Sequence, residues 1–263
     1  MVMLQYSPWK TEQNEFDPQQ EALLEEQLAF SNGYISQYAY FEEPYSGEQR
    51  VGTFVEGVLR ASSSSPLEIP NPAVISVRLG DERLDLHYWQ TQRFYRCLHK
   101  GEARLERHFT ATSPKGHTVE VDAARQLNMK NPHLLEISYS VRFVDYEGLI
   151  SFLTLISDSK RFDEWYTLQA SIDDKIACMW LQAKDGDKQV SVAQRHWLYK
   201  NGALQDDRAV KIDKKNVLGF AHMTDVVKGD VFTMKTVLSI VDSTRFMKSE
   251  LTAKAIENLP SSL

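Results

Sequence analysis

Two adjacent carboxylates, Glu42 and Glu43, are the leading candidates for acid catalysis in this sequence. A positioned carboxylic acid can protonate a leaving group in the transition state, which is the role of a general acid. Neighbouring residues of a β-strand point to opposite faces, so at most one of the two would enter a groove. We therefore favour a structural interpretation, in which one carboxylate forms a salt bridge or a cap and the other is solvated. The acidic pairs 173–174 and 206–207 are typical of turns.

Metal-ligating and nucleophilic residues are scattered along the chain. Cys97 and His99 would share one face of a strand, but zinc sites usually combine four ligands in tight local pairs, and we expect no metal site. Neither a Gly-x-Ser-x-Gly elbow nor a phosphate-binding glycine loop occurs, which argues against serine nucleophiles and nucleotide binding. Cys97 and Cys178 are too few for a disulfide framework and predict reduced thiols.

Aromatic side chains are concentrated in one short segment that ends at the two glutamates. Aromatic rings bury large areas and their faces stack well against apolar partners, so this segment is a better binding surface than the scattered tryptophans, most of which we expect in the core. The residues predicted to line a substrate groove or a domain interface are Tyr34, Tyr38, Tyr40, Phe41 and Glu42.

The composition is that of an ordinary globular protein and narrows the range of partners. The chain has 263 residues and a net charge of −6, which argues against nucleic-acid and anionic-membrane surfaces. Residues Met1 to Lys10 lack a basic stretch followed by an apolar one, and no apolar run approaches the ~18 residues of a membrane span. We expect a cytoplasmic protein with no nucleic-acid or membrane partner.

Short strands dominate the secondary structure that the sequence predicts. About a dozen β-branched or aromatic runs are separated by turn residues, and Leu135 to Phe143 alternates apolar and polar residues cleanly. Asp185-Gly186 and Asn201-Gly202 are typical hairpin turns. Since long helices do not intervene, the pattern predicts an all-β fold, a large antiparallel β-sandwich.

Two helices are predicted at the ends of this sandwich. Asp17 can cap the first, with Pro18 at the first helical position and Asn32-Gly33 as its stop after Phe30. The second covers 247–258, where Ser249 can cap locally and Pro260 sets the stop. Its apolar stripe consists of Met247, Leu251, Ala255 and Ile256, of which we expect Leu251 and Ile256 to be buried.

Several motifs in order resemble the N-terminal segment of glycoside hydrolase family 65. Asn32-Gly33-Tyr34 leads to Glu42-Glu43, and Gly52-Thr53-Phe54 leads to Gly57-Val58, as in the family's Asn-Gly-Tyr and Gly-Thr-Tyr motifs. Further matching stretches are Leu79 to Leu86, Tyr95 to Gly101, Leu105 to Phe109 and Ala124 to Met129. The sequence departs from the family at Ser36, Tyr38, Ala39 and His99, which affects the subgroup and the substrate.

This resemblance implies a fold and a role. The fold would be the supersandwich that is similar to galactose mutarotase, covering 1–246, and 247–263 would begin a helical linker to an absent (α/α)6 catalytic barrel. The parent enzyme would be an inverting phosphorylase of α-linked glucose disaccharides of the maltose, kojibiose or trehalose type, with inorganic phosphate as co-substrate and no cofactor, or a hydrolase of the same family. This segment would hold no catalytic residue. Its partners would be its own barrel, the disaccharide at the domain interface and, in a homodimer, a second copy.

The resemblance also places the segment from Tyr34 to Glu43 against the barrel and near the C-terminal linker. In the absence of the barrel, this surface would then be partly uncovered. Two alternatives come from other classes. A stand-alone carbohydrate-binding module would need an exposed aromatic row on one sheet face. A mutarotase-like sugar epimerase would need a histidine and a glutamate facing each other, for which His108 and Glu136 are the conceivable pair.

Overall fold

A computed structural model describes residues 3–157, 164–173, 175–205 and 209–262. Most of these residues lie in strands. In chain order the strands are β1 (Gln5–Tyr6), β2 (Lys10–Gln13), β3 (Phe30–Ser31), β4 (Ile35–Gln37), β5 (Thr53–Leu59), β6 (Pro66–Glu68), β7 (Val74–Leu79), β8 (Glu82–Arg83), β9 (Gln90–His99), β10 (Arg104–Thr112), β11 (Thr118–Leu127), β12 (Leu134–Phe143), β13 (Gly148–Ser157), β14 (Trp165–Ile172), β15 (Ile176–Ala183), β16 (Gln189–Lys200), β17 (Ala203–Leu204), β18 (Val210–Lys214), β19 (Val217–Val226) and β20 (Val231–Asp242).

One large sheet forms the first layer of the fold. Its strands follow the order β1-β2-β9-β10-β11-β12-β20-β16-β15-β14, with β17 beside β16, and every pairing is antiparallel. Along β12 the residues alternate between buried and partly exposed. We call the face that carries its buried residues the inner face of the large sheet, and the opposite face the outer face.

Two smaller antiparallel sheets form the second layer and cover the inner face. One has the order β3-β4-β5-β6, and the other has the order β18-β19-β13-β7-β8. Polar bonds join the layers: Thr154 on β13 lies 3.2 Å from the Thr236 hydroxyl of β20 and accepts a 2.8 Å hydrogen bond from Gln194 of β16. One apolar cluster fills the space between the layers. The predicted all-β sandwich and the alternation of Leu135 to Phe143 are therefore confirmed.

The first helix is shorter than predicted. Helix α1 covers Glu21–Gln27, and its N-cap residue, Gln20, makes no side-chain cap bond. Asp17 instead accepts hydrogen bonds from the Gln19 amide and the Gln20 side chain, which hold the turn before the helix. The prediction that the helix continues to Phe30 is wrong, because Phe30 pairs with Gln37 in the β3–β4 hairpin of the four-stranded sheet.

The stop predicted at Asn32-Gly33 is the turn of that hairpin and not a helix end. The Asn32 side-chain oxygen accepts from the amides of Tyr34 and Ile35, at 3.1 and 2.8 Å. Gly33 has a φ of +86°, a conformation that a side chain would disfavour. The hairpin signal at Asn201-Gly202 was identified correctly: both residues have positive φ, +50° and +81°, as a type I′ turn requires.

The C-terminal segment docks on the outer face of the large sheet. A 3₁₀ turn (Lys248–Glu250) leads into helix α2 (Leu251–Glu257), which packs against β15, β16 and β20. Leu251 is fully buried, as predicted, whereas Ile256 is only partly buried. Met247 is wrong as a member of the apolar stripe, since it lies before the helix and is 65% exposed. Neither the 3₁₀ turn nor helix α2 has a side-chain cap at its N-terminus, so the predicted capping role of Ser249 is wrong as well.

This docking forms a second apolar cluster on the outer face. Leu251, Ala255 and Leu259 of the C-terminal segment meet the sheet residues Cys178 and Val237 there. Among the described residues, no helix combines the length and the hydrophobicity that crossing a bilayer requires.

Candidate functional site

The segment that carries the predicted site residues runs across the inner face of the large sheet, above three arginines. Arg96, Arg107 and Arg125 project inward from the adjacent strands β9, β10 and β11, and none is more than 3% exposed. Arg96 donates a 2.8 Å hydrogen bond to the Ala39 carbonyl, and Arg125 donates one to the Tyr40 carbonyl. The arginines therefore hold the main chain of the segment as well as its acidic side chains.

Both candidate acids are bound by these arginines. Arg107 contacts Glu43 at 2.7 Å through Nη1 and Glu42 at 2.6 Å through Nη2. Arg125 Nε lies 2.6 Å from the other carboxylate oxygen of Glu42, so Glu42 bridges two guanidinium groups. We call this set of three arginines, together with Glu42 and Glu43, the ionic cluster.

The structure corrects two expectations about this pair. The residues lie in a bend and not in a strand, so the rule of opposite faces does not apply and both side chains turn towards Arg107. Neither is solvated, since Glu42 is 3% and Glu43 is 1% exposed. Burial alone would raise the pKa of Glu42, but Arg125 and Arg107 outweigh it and hold that pKa below the ordinary value. Glu42 is thus a fixed anion near neutral pH.

Helix α1 adds two buried carboxyl groups on its core-facing side. Glu21 lies 2.7 Å from Arg96, which also donates from Nε to the Gln13 side chain at 2.9 Å. Glu25, one turn further on, accepts a hydrogen bond from the Arg50 amide. Burial raises the pKa of Glu25 to about 8, and the neighbouring Glu21 carboxylate adds to the rise. Glu25 is therefore largely protonated at neutral pH.

The aromatic candidates are also used inside the domain. The Tyr34 hydroxyl donates a 2.6 Å hydrogen bond to Asp242, a fully buried residue at the end of β20, and Arg245 lies over the Tyr34 ring at 4.5 Å. Arg125 and Arg107 lie over the rings of Tyr40 and Phe41, each at 4.4 Å from the ring centre.

These contacts correct the prediction of an uncovered surface. Tyr34, Tyr40, Phe41 and Glu42 are each at most 3% exposed, and only Tyr38, whose ring lies 5.4 Å from that of Phe54, is partly exposed. At one end, the bond from Tyr34 to Asp242 ties the segment to the end of β20, which precedes the C-terminal segment.

The residues required by the alternative activities are not brought together. His108 contacts Asp122 across β10 and β11, while Glu136 accepts a 2.8 Å hydrogen bond from Asn128 and pairs in register with Gln126. The epimerase pair is therefore not formed. Within the described part of the chain, the aromatic residues that are more than half exposed lie on separate elements and make no row along one sheet face; they are Tyr6, Trp9, Tyr88 and Tyr166.

Metal ligands do not converge among the described residues, in which no group of three or more His, Cys, Asp or Glu side chains is suitably placed. Cys97 is buried, and His99 contacts Glu106 at 3.1 Å. Of the acidic pairs, Asp173 accepts from the Ile176 amide in a turn, as predicted, whereas Asp174, Asp206 and Asp207 lie outside the described residues.

Sequence reasoning missed the arginines and the helix carboxylates of this interior. A signal was present in each case. Glu21 and Glu25 are spaced i, i+4 on the same side of the helix as Leu24 and Leu28. The arginines occupy positions of their strands at which the alternation predicts a buried apolar residue. Arg107, for example, follows Leu105 and precedes Phe109 at every second position of β10. A charged residue at a buried position of a strand predicts a buried residue of opposite charge beside it, and Glu42 and Glu43 are these residues.

Comparison with known proteins gives a consistent result. The family model described as "Glycosyl hydrolase family 65, N-terminal domain" matches residues 11–263. The α,α-trehalose phosphorylase of Thermoanaerobacter brockii is 22% identical over 97% of this chain, which corresponds to 37% of that enzyme. A kojibiose phosphorylase of Halothermothrix orenii is 26% identical over 57% of this chain and 20% of its own length.

A solved structure shows the same fold. A human-microbiome protein assigned as a kojibiose phosphorylase superposes with a TM-score of 0.82 at 17% identity, covering 98% of this chain and 36% of its own. The chain thus spans little more than a third of the trehalose phosphorylase and of this solved protein, and the matched region is one part of a larger molecule.

Proposed function

This chain belongs to the family of glycosyl hydrolase family 65 N-terminal domains, and we propose that it is the non-catalytic front domain of a disaccharide phosphorylase. The relatives named above support the reaction class, because they are phosphorylases of trehalose and kojibiose. Under this proposal 1–246 form the domain and 247–263 begin the linker to an (α/α)6 catalytic barrel. The enzyme would act in the cytoplasm, and it would function as a homodimer.

The proposed reaction sets a clear requirement for the acid. Phosphorolysis with inversion needs one carboxylic acid to protonate the glycosidic oxygen while inorganic phosphate, the co-substrate, attacks from the opposite face. Such an acid must hold a proton near the working pH and reach the substrate. No cofactor is needed for this chemistry.

The observation that carries the non-catalytic role is the binding of Glu42 and Glu43 by buried arginines. Arg107 and Arg125 keep Glu42 ionised and take up the oxygens that would face a sugar. Glu25 does hold a proton near neutral pH, but it is fully buried and accepts from the Arg50 amide. These acids are therefore suited to holding the domain together and not to proton transfer to a sugar.

The second part of the proposal is mechanical. Tyr34 and Arg245 fix the end of β20 through Asp242, and helix α2 docks a few residues later on the outer face. Both contacts set the direction in which the chain leaves the sandwich. A catalytic barrel attached at this point would inherit its orientation from these contacts, including its position relative to the segment from Tyr34 to Glu43.

An activity assay on the chain tests the first part. The protein is incubated with maltose, kojibiose, nigerose or trehalose and inorganic phosphate, and glucose 1-phosphate and glucose are measured. We expect no turnover above the background of a Glu42→Gln variant. Turnover of about 1 s⁻¹, which is ordinary for an enzyme, would overturn the non-catalytic assignment.

A further inference from the structure

The outer face of the large sheet carries a small depression that the proposed function does not use. Its volume is about 340 Å³, and it lies over β10, β11, β12 and β20. The floor is formed by the small side chain of Ala124 and by Val237. Its polar side chains Gln126, Glu136, Ser138 and Lys235 occupy the partly exposed positions of their strands, so they point away from the sandwich core.

Polar groups surround this apolar floor on adjacent strands. Gln126 lies opposite Glu136 in register, and Ser138 lies opposite Lys235, so the four side chains form two neighbouring rows across the sheet. Successive residues on one face of a strand are about 7 Å apart, which matches the width of one sugar ring. The depression is therefore small, apolar at its base and polar at its rim.

Three of these polar side chains have no bonded partner among the described residues. Gln126, Ser138 and Lys235 make no side-chain hydrogen bond or ion pair within that part of the chain, although Lys235 lies over the Tyr199 ring at 5.2 Å. Glu136 is different, because Asn128 donates a 2.8 Å hydrogen bond to its Oε1 and thereby orients the carboxylate. Amide, hydroxyl, ammonium and an oriented carboxylate are thus available together.

This set of groups fits the chemistry of a neutral pyranose ring. A carboxylate accepts from hydroxyl groups, an ammonium and an amide donate to them, and an apolar floor accommodates the C–H face of the ring. Anions suit the site less well, because its two cationic side chains are balanced by carboxylates. Glu136 lies diagonally across from Lys235, and Glu106 lies 2.5 Å from Arg104, the second cation of the lining. The volume is at the lower end of ligand pockets, so it limits the ligand to about one ring.

We propose that the depression over Ala124, bounded by Gln126, Glu136, Ser138 and Lys235, binds a single hexopyranose through its hydroxyl groups. The site is a binding site without chemistry and lies within this chain. Its existence does not depend on whether the larger enzyme is a phosphorylase, so a failure of one proposal leaves the other standing.

Ligand-observed saturation-transfer NMR on the full chain tests the proposal, with glucose, glucose 1-phosphate and glycerol as probes. We expect saturable transfer to glucose with a millimolar dissociation constant, because a ligand this small makes few contacts. Glycerol should show none, since it lacks the ring. Glucose 1-phosphate should bind no more tightly than glucose.

Matched variants locate the site. Glu136→Gln should weaken glucose binding at least tenfold, and Lys235→Gln should weaken it at least threefold. The control is Glu120→Gln, the same change on the outer face of the neighbouring strand β11, which should leave binding unchanged because Glu120 does not line the depression. Thermal melting confirms that each variant is folded, and if Glu136→Gln is not, Gln126→Ala takes its place.

Three results would overturn the proposal. The first is no saturable transfer to glucose at concentrations up to about tenfold the expected millimolar dissociation constant. The second is equal weakening by Glu120→Gln and Glu136→Gln, which would place the ligand elsewhere. The third is binding of glucose 1-phosphate alone, which would show that the depression recognises an anion and not a ring.

Discussion

At the scale of single residues, the interior of this domain is organised by charge. Arg107 is 3% exposed and is in contact with two carboxylates, both of which are as deeply buried as the arginine itself. Buried ion pairs add little net stability compared with a well-packed apolar core, but removal of one partner leaves the other charge without compensation. The ionic cluster is therefore a point of high sensitivity.

The first prediction concerns this sensitivity. Arg107→Met should destabilise the domain by about 3–5 kcal/mol, because Glu42 and Glu43 lose their shared partner. The free energy of unfolding is measured by urea denaturation. Arg142→Met is the control: its pair with Glu120 is 3.5 Å long and solvent-exposed, so the cost should stay below about 1 kcal/mol. Equal losses in both variants would contradict the role of the cluster.

The second prediction is a pH dependence that belongs to Glu25. Its pKa is about 8 in the folded state and 4.5 for an ordinary glutamate, so the folded state binds more protons than the unfolded state between these values. The contribution of Glu25 to stability is therefore present at low pH and is lost as the pH rises from 4.5 to 8. Glu25→Gln removes this loss.

Urea denaturation at several pH values checks this sign. The stability of Glu25→Gln relative to the parent chain should increase steadily as the pH rises from 4.5 to 8, the limits set by the two pKa values. Glu26→Gln, the same change at the exposed neighbouring position, is the matched control for the substitution itself. A constant difference for Glu25→Gln would show that the carboxyl is ionised in the folded protein.

At the scale of elements, helix α2 is stable only because it docks. It has seven residues, and isolated helices of that length are marginal in water. The docked helix covers Cys178, which is 2% exposed and whose thiol has a pKa raised by burial to about 11. A buried, protonated thiol is inert, so its reactivity reports whether the helix is in place.

The third prediction uses this thiol. Leu251→Ala should cost about 2–5 kcal/mol, as large-to-small changes in a core do, and should raise the rate at which a thiol reagent labels Cys178. The labelled residue is identified by mass spectrometry, since Cys97 is also buried. Met247→Ala, at an exposed position just before the helix, should change neither quantity. Unchanged labelling in Leu251→Ala would show that the helix does not protect the thiol.

Elements were predictable from sequence to different degrees. Strands with one buried face, such as β12, were identified from their alternation, because the period of two is a local property. The end of helix α1 was not, since Phe30 forms helix or strand according to its pairing with Gln37, a tertiary contact. The site residues were also only partly predictable. The order of the motifs located the segment from Tyr34 to Glu43, but its contacts with the three arginines depend on how β9, β10 and β11 lie beside it in the folded domain.

At the scale of the whole molecule, the two layers share one core. The main apolar cluster includes Ile35 and Val55 from the four-stranded sheet, Phe220 from the five-stranded sheet and Tyr139 from the large sheet. Neither small sheet has a separate core of its own among the described residues. Since each layer buries its apolar face against the other, the parts should not be stable alone.

The fourth prediction follows from this shared core. Unfolding by urea should be a single cooperative transition, with far-ultraviolet and near-ultraviolet circular dichroism giving the same midpoint. Separate midpoints would show that one of the small sheets unfolds independently. Near-ultraviolet signals report the buried rings of Tyr34, Tyr40 and Tyr139, which sample both layers.

The three inward arginines have a further consequence for how the strands find their partners. A slip of β10 by one residue would turn Arg107 to the outer face and bring Glu106 or His108 inward, opposite two carboxylates. An apolar strand that slips loses only part of its packing, but this slip would leave Glu42 and Glu43 buried without their shared cation, and in one direction it would add the Glu106 carboxylate beside them. Misaligned sheets are thus penalised, and the ionic cluster favours the native register of β10.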